Sequence, residues 1–532
     1  MLIFNFNIGN QYKKMKNIKF IFILFALSVV SCKDDFLNQS PNVSSIQSGT
    51  YYNSANEVVT ATAAEYSFID YDDWWQTQWF KSINEAASDN AWIGINGGQG
   101  TAVQAAHYNL NAENDRIEAH WIMIYKSIYR FNATIEGVEK SNIDATLKAR
   151  SLAELKFLRA FQYFELVNNF GGVPLLTKTL SPTDNTYKKS TKEDIFTFLK
   201  SDLKSAIEAL PTKSSYSAVN KFRVSKGAAT ALLAKVNLYS EDWAGALAAA
   251  DQVISSNEYT LESAFSDIFK TLNYNGKESI FESQFQYSTL FPALGNVFPS
   301  TSMSPAEGGW GYFTSTSDLE NAFKAQGDSI RLNWTIMRHG MPSVGEVGNI
   351  IFDARPASTK SARFNRKIYV LRSERTTSRY SKNRIYLRLA DVYLIKAEAA
   401  AMLNQTTTSL AALKVIRDRV NLKTNSTLTG QALIDAVRLE RRLELALEGD
   451  RLFDLRRWKD ASGNPLINSI MGPNGSFVVY NTKLSQDKYE LGNLNEPQNK
   501  GANFVVGKHN LWPIPTKEII ASEGRIEQNP QY

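Results

Sequence analysis

The sequence predicts a mostly α-helical protein: a scaffold of paired helices into which a long irregular, loop-rich segment is set. Three observations carry this reading. The first is Ser225 to Tyr259, SKGAATALLAKVNLYSEDWAGALAAADQVISSNEY. Leu232, Leu233, Val236 and Tyr239 make one apolar stripe and Leu247, Ala250 and Ile254 a second, so the segment reads as two helices joined by a short turn. Small residues (Ala231, Ala234, Ala246, Ala250) sit where the two helices would cross closely, and Leu233, Ala234, Ala246 and Ala250 match the large-and-small spacing of a tetratricopeptide repeat. The second is that such a pair does not bury its own apolar face and needs neighbours of the same kind, which the chain supplies on both sides. The third is a change of pattern from Ser263 to Arg384, where Gly, Pro, Ser and aromatics rise and helical periodicity fades.

Length and composition fit a large globular protein. The chain has 532 residues, 43% hydrophobic and 21% charged, enough for an extensive core and more than one sub-region. Four of the formal +6 charges, Lys13, Lys14, Lys16 and Lys19, lie in an N-terminal leader that holds no acid, which leaves a nearly neutral remainder. Such a remainder gives no support for nucleic-acid binding. The single cysteine, Cys32, rules out an internal disulfide.

Those four lysines precede the apolar run Phe20 to Val30, as the charged region of a signal peptide precedes its apolar core. Residues 1–31 are accordingly predicted as a signal peptide, with Met15 as an alternative start. The run is shorter than the roughly 20 residues a spanning helix needs. It closes on Val29-Val30-Ser31-Cys32, which resembles a bacterial lipobox, so Cys32 is the expected lipidation site. Residues 32–52 then form a lipidated N-terminus and tether. Lys33-Asp34-Asp35-Phe36-Leu37 resembles the acidic signal that directs Bacteroidetes lipoproteins to the cell surface.

Residues 53–262 are predicted as an N-terminal helical region. Glu57 to Phe68 is its first helix, and Glu113 to Glu139 is a second with Trp121, Ile124, Tyr125 and Ile128 at core spacing. Leu152 to Phe170 follows, with Leu155, Leu158, Phe161, Phe164 and Val167 on one broad face. Gly171-Gly172 stops this helix and Pro174 seals the stop. Ser190-Thr191-Lys192-Glu193 reads as a capping box for a helix over Asp194 to Leu210, the partner in a first repeat pair. Residues 263–384 form the irregular insertion, within which Lys277 to Gln286 alternates like a strand and Tyr287 to Tyr312 is a long excursion. Residues 385–532 hold the C-terminal repeat helices and tail. Helix is expected from Arg384, with Leu387, Ala390, Leu394, Ala397 and Ala401 as its stripe, then over Ser409 to Val420, Gln431 to Glu448 and Arg451 to Lys459.

Several stretches together resemble the SusD/RagB family of Bacteroidetes outer-membrane lipoproteins. They are Arg159 to Phe164 (RAFQYF), Phe170 to Leu175 (FGGVPL), Gly227 to Tyr239, Arg388 to Ala399 (RLADVYLIKAEA), Arg441 to Arg451 (RRLELALEGDR), Trp512 to Pro515 (WPIP) and Gln528 to Pro530 (QNP). They occur in family order over nearly the whole mature chain. The resemblance implies four tetratricopeptide-like repeats and an irregular ligand-binding region. It also implies a lipid anchor in the outer membrane, a glycan or in some members a peptide ligand, and no catalysis. The partner it implies is a SusC-like TonB-dependent transporter over which the lipoprotein sits as a lid.

A sugar ring has an apolar C–H face and an edge of hydroxyls, so its site wants flat aromatic platforms beside amides and carboxylates. Two stretches meet that need. The first holds Trp74, Trp75, Trp79 and Trp92, with Asp72, Asp73, Gln76, Gln78 and Asn96 nearby. The second holds Tyr287, Phe291, Trp310 and Tyr312. Trp310, in Gly308-Gly309-Trp310-Gly311, resembles a stretch common across the family, which gives it a structural role as well. The expected glycan-binding residues are Trp74, Trp75, Trp79, Trp92, Asn96, Tyr287, Phe291 and Trp310. Arg441, Arg442, Glu444, Glu448, Asp450 and Arg451 read as an ion-pair network on a packed helix face. The four histidines are scattered, and there is no HExxH, GxSxG or P-loop pattern, so no metal, cofactor or catalytic group is expected. Two alternatives remain open: a carboxylate-dependent glycoside hydrolase, for which Asp72, Asp73, Glu85 and Asp89 are the clustered acids near aromatics, and a peptide-binding repeat scaffold.

Overall fold

The structure, a computed structural model, describes residues 51–70, 77–93, 100–181, 184, 186–271, 273–290, 295–342, 352, 361–375, 379–483, 500–501 and 503–532. Its helices are α1 (Ala55–Glu65), α2 (Thr77–Ala86), α3 (Gly100–Ala106), α4 (Asp115–Lys140), α5 (Ala145–Phe170), α6 (Lys192–Ala209), α7 (Lys226–Tyr239), α8 (Trp243–Ser255), α9 (Phe298–Ser302), α10 (Ser317–Ala325), α11 (Ser329–Thr335), α12 (Leu389–Met402), α13 (Thr406–Asp418), α14 (Gly430–Glu444), α15 (Arg451–Arg457), α16 (Leu466–Met471), α17 (Ser476–Lys483) and α18 (Thr516–Ala521). Strands β1 (Ala91–Ile93), β2 (Ser279–Ser283), β3 (Phe313–Ser315), β4 (Ile336–Arg338), β5 (Arg363–Asn365) and β6 (Arg384–Arg388) form three antiparallel pairs, β1–β3, β2–β6 and β4–β5. Among the described residues no helix is long and apolar enough to cross a membrane.

The mostly helical, repeat-like scaffold expected from the sequence is the observed one. Helices α4 to α8 stack in chain order, each against the next, and α12 then docks directly on α8 and packs against α13 and α14. The stack therefore continues across the 133 positions from 256 to 388 as though they were an insertion. Side-chain caps fix where these helices begin. Asp144 accepts from the Leu147 N–H, Ser225 from Ala228 and Asp242 from Gly245. The capping box of α6 is Thr191 with Asp194, one residue beyond the Ser190–Glu193 pair that the sequence suggested. Helix α5 is the central member: almost every residue from Ala153 to Phe170 is buried, the polar Glu154, Arg159, Gln162, Glu165 and Asn169 included, so it is enclosed on all sides rather than along one stripe.

Gly171 ends α5 at φ +72°, a backbone that an L side chain rarely adopts, and a Cβ there would stand 2.8 Å from Leu511. That closeness reflects how the C-terminal motif is used. The Trp512 N–H donates to the Asn169 carbonyl at 2.8 Å, and the Asn529 side chain donates to the carbonyls of Phe170 and Trp512 at 2.9 and 2.7 Å. The WPIP and QNP stretches are thus a clamp on the end of α5.

Two expectations are corrected. Residues 384–388 are strand β6, and helix starts at Leu389; Leu387 pairs with Phe281 rather than joining the helical stripe. Helix α14 ends at Glu444, and residues 445–449 turn, with Leu447 at φ +65° and Gly449 at φ +106°. The insertion holds the strand expected within Lys277 to Gln286, as β2, and more regular structure than expected besides: β3 to β5, α9, α10 and α11.

Buried ion pairs converge on α14. Glu444 accepts from Arg331 at 3.0 Å, Arg388 at 2.6 Å and Arg419. Arg441 pairs with Asp391 and with Asp454 at 2.8 Å, and Arg442 reaches Asp89 at 3.1 Å and Asp318 at 2.5 Å. The guanidinium groups of Arg419, Arg388 and Arg331 hold the Glu444 carboxyl well below its usual range despite burial. Removing one charge from such a cluster leaves the others uncompensated. Glu444→Gln is expected to lower unfolding free energy by about 3–5 kcal/mol, read by urea titration, whereas Lys414→Ala, which breaks only the exposed pair with Asp418, is expected to change stability little.

Candidate functional site

The two aromatic stretches, 200 positions apart in the chain, are joined by main-chain pairing. Strand β1 runs antiparallel to β3 with Trp92 opposite Thr314 and Ile93 opposite Phe313, so the chain leaves β1 alongside Tyr312. On the β3 side the turn carrying Trp310 and Tyr312 is folded back on α9. The N–H groups of Trp310 and Tyr312 donate to the Ser300 and Thr301 carbonyls, each at 2.7 Å, and Gly311 donates to Met303 at 2.9 Å. The Trp310 and Tyr312 rings lie 5.5 Å apart, tilted by 39°, and both are half-buried, held by backbone yet partly open.

The first stretch springs from Asp70. Its carboxylate accepts from the Tyr386 hydroxyl at 2.5 Å and from Ser283. Burial, reinforced by that carboxylate, holds the Tyr386 phenol well above its ordinary pKa, so it stays a donor. Beyond Ser283 the chain runs on to Tyr287, whose N–H donates to Ser381 Oγ at 3.0 Å, after Phe285 has donated to Asn383 at 2.8 Å. Half-buried Tyr287 packs over Gly295, where a Cβ would stand 3.1 Å from Tyr287 and 2.9 Å from Arg379; only glycine admits both. The Asn296–Tyr380 bridge then carries the chain into α9. Asp70, Tyr287, Trp310 and Tyr312 are thus mounted on one connected support made of β2, β6, α9 and β3.

Residues 80–90, which lead into β1, are fixed from below. On α2, Lys81 pairs with Glu165 at 2.7 Å, and Asn84 bridges Asn169 and the Trp512 indole at 3.0 and 2.9 Å. Glu85 accepts from the Gly449 N–H at 2.8 Å, and Asp89 takes both arms of Arg451, each at 2.7 Å. His120 stacks on Phe80 at 3.8 Å, and burial lowers its pKa to about 3, so it is neutral packing.

The expected site residues fall into three groups. Tyr287 and Trp310 stand half-buried on the support. Trp92 does not present an open ring: it is 3% exposed, with His107 at 5.2 Å and the Lys500 ammonium at 5.3 Å from its ring. It serves as the floor under the β1–β3 pair. Trp74, Trp75, Asn96, Phe291 and Cys32 lie outside the described residues, as do Asp72, Asp73 and the side chain of Trp79. Glu85 and Asp89, named for a hydrolytic alternative, are 5% and 2% exposed and are engaged in the interactions above. Arg441, Arg442, Glu444, Glu448, Asp450 and Arg451 form the ion-pair network expected of them. Sequence reasoning missed the Asp70–Tyr386 anchor, because its partners are 316 positions apart. Among the described residues no group of three or more His, Cys, Asp or Glu could hold a metal ion.

The fold is a helical-repeat scaffold with half-buried rings on an inserted segment, and comparison with known proteins gives the family. The SusD family model matches residues 262–532, and a second model, described as starch-binding associating with outer membrane, matches residues 35–238. The chain belongs to the SusD family. It is 26% identical to a SusD-like protein of Formosa agariphila, over 90% of this chain and 97% of that one. Its fold is similar to a solved SusD homolog of Bacteroides thetaiotaomicron, with TM-score 0.75, 21% identity and coverage of 91% and 98% of the two chains. It is also similar to a solved laminarin-binding SusD-like protein, with TM-score 0.71, 24% identity and coverage of 91% and 100%.

Glu85 offers a pH test of how α2 is held. Its Oε2 is buried with no hydrogen-bond partner, and burial raises its pKa to about 7. The unfolded chain ionises near the ordinary glutamate value, so Glu85 weighs against folding increasingly as pH rises from about 4.5 to 7, and constantly above. Glu85→Gln keeps the acceptor for Gly449. It is expected to leave stability unchanged at pH 4.5 and to raise it on the order of 3 kcal/mol at pH 8, measured by urea titration at both pH values.

Proposed function

We propose that this protein is a non-catalytic cell-surface binder of an oligosaccharide or polysaccharide that serves uptake through a partner TonB-dependent transporter. The observation that carries the reading is the convergence of Asp70, Tyr287, Trp310 and Tyr312 on one support, with the tryptophan-rich stretch next to Asp70 in the sequence and the Gly-rich stretch next to β1. Half-buried rings fixed by main-chain hydrogen bonds lose little freedom on binding, which is what a stacking platform for a sugar face requires. A laminarin-binding protein of similar fold and the starch-binding, outer-membrane description of one matching model support the same ligand class. In this reading Trp74 and Trp75 complete the platform, with Trp79, Asn96 and Phe291 beside them, and Trp92 is its floor. Lipidation at Cys32 anchors the chain at the outer membrane, and the bound glycan is kept at high local concentration at the mouth of a SusC-like barrel. No cofactor is needed for capture of this kind.

Affinity electrophoresis against plant, host and microbial polysaccharides, laminarin included, tests the proposal. One or more polysaccharides should retard the protein. Trp74→Ala with Trp75→Ala, and separately Tyr287→Ala with Trp310→Ala, should each weaken retardation about tenfold or more, roughly 1.4 kcal/mol. Retardation unaffected by either pair would remove the rim as the site. Product released on incubation would contradict the non-catalytic reading, and retention of peptides in place of glycans would transfer the ligand class.

A further inference from the structure

We infer that a groove along α4, running from Glu518 to Phe68, is a second sugar subsite, which binds a further stretch of the same polysaccharide chain as the rim. This inference rests on the glycan reading above and extends it from one site to two.

The groove begins with a spacing on α4. Ile122, Tyr125 with Lys126, and Tyr129 recur at i, i+3 or i+4, and i+7, so they stand in one row along the helix. At 1.5 Å per residue the row is about 10 Å long. Tyr129 is 53% exposed, and among the described residues its hydroxyl makes no hydrogen bond. The Lys126 ammonium beside it is exposed and, among the described residues, enters no ion pair or hydrogen bond. The ends of the groove are built from other elements. At one end Lys517 of α18 pairs with Glu118 of α4 at 2.8 Å, which sets half-buried Glu518 beside Trp121. Glu518 accepts from the Trp121 indole and, among the described residues, has no cation partner. At the other end the Arg130 guanidinium lies 4.0 Å from the Phe68 ring and pairs with Glu65 at 3.2 Å. Between the two ends the Tyr125 hydroxyl donates to the Pro174 carbonyl at 2.8 Å, which fixes its ring as a wall.

These groups match the two surfaces of a sugar. Its C–H face stacks on an open ring such as Tyr129. Its hydroxyls accept from an ammonium and donate to a carboxylate, and neither Lys126 nor Glu518 has an ion pair to give up first. Phe68, Trp121 and Tyr125 are already held by the contacts above, so they lose little freedom on binding. The groove offers about 550 Å³, within the range of roughly 300–1,000 Å³ typical of ligand sites.

The chain between Phe68 and Asp70 joins the groove to the rim. The Phe68 carbonyl accepts from Ser127 Oγ of α4 at 2.9 Å and from the Gln162 side chain at 3.0 Å. Two residues on, Asp70 is held by Tyr386 on the support of the rim. Two residues span at most about 7 Å, so the groove adjoins that support and one polysaccharide chain reaches both. Two subsites on one chain then reinforce each other through effective concentration.

Affinity electrophoresis in gels cast with laminarin, starch, xylan or pectin tests this, with mobility normalised to a gel without polysaccharide. Tyr129→Ala with Lys126→Ala removes two exposed side chains and should leave the urea unfolding midpoint unchanged. It should weaken the strongest retardation seen for wild type about tenfold, whereas Tyr129→Phe, which keeps the ring, should retain most of it. Tyr287→Ala with Trp310→Ala should leave a residual retardation that combining both pairs of substitutions abolishes. Retardation equal in wild type and in the Tyr129→Ala, Lys126→Ala protein overturns the groove and leaves the rim standing. Retardation lost in that protein but unmoved by the rim pair keeps the groove and removes the rim. Retardation of wild type by none of the four polysaccharides overturns the groove together with the glycan reading.

Discussion

The interaction on which the rest of the structure depends is the group of buried guanidinium–carboxylate pairs around α14. Glu444 gathers Arg331 from the insertion, Arg388 from β6 and Arg419 from the end of α13, while Arg442 and Arg451 hold Asp89 below β1. Apolar contacts join the same segments, Leu332 and Ile336 of the insertion meeting Leu443, and Leu413 of α13 meeting Leu433 and Val437. Charge geometry adds direction to that packing, with bidentate or shared arginines donating to carboxylates from several sides. Replacing such a cluster by well-packed apolar groups can be neutral in stability. What an apolar replacement does not reproduce is the directional docking of the insertion and the α2–β1 segment on the same helix.

The consequence for function is that a rim of rings is carried by a rigid scaffold without being part of its core. Trp310 and Tyr312 are positioned by their own N–H groups, and Tyr287 by Ser381 and a glycine that lets the chain pass beneath it. Changing the side chains on this rim leaves the supporting hydrogen bonds in place.

The helical stack was legible in the sequence because its signal is local. The stripe in Ser225–Tyr259 and the Gly171-Gly172 stop each lie within a few turns of the residues they govern. The misreadings have non-local causes. Leu387 and Ala390 continue one another's spacing across the strand-to-helix junction, and the partner that makes 384–388 a strand is β2, about 100 positions earlier. Trp92 reads as a loop platform until Lys500 is brought over its ring from more than 400 positions away.

The central claim is that stretches far apart in sequence form one ligand-binding rim on a fixed support. Hydrogen–deuterium exchange with and without the polysaccharide that retards the protein most tests it directly. The account predicts joint protection of peptides covering 66–93, 284–296 and 305–315, with α5 to α8 unchanged. Protection confined to the helical stack, or to one of the three stretches while the others exchange as before, would contradict it.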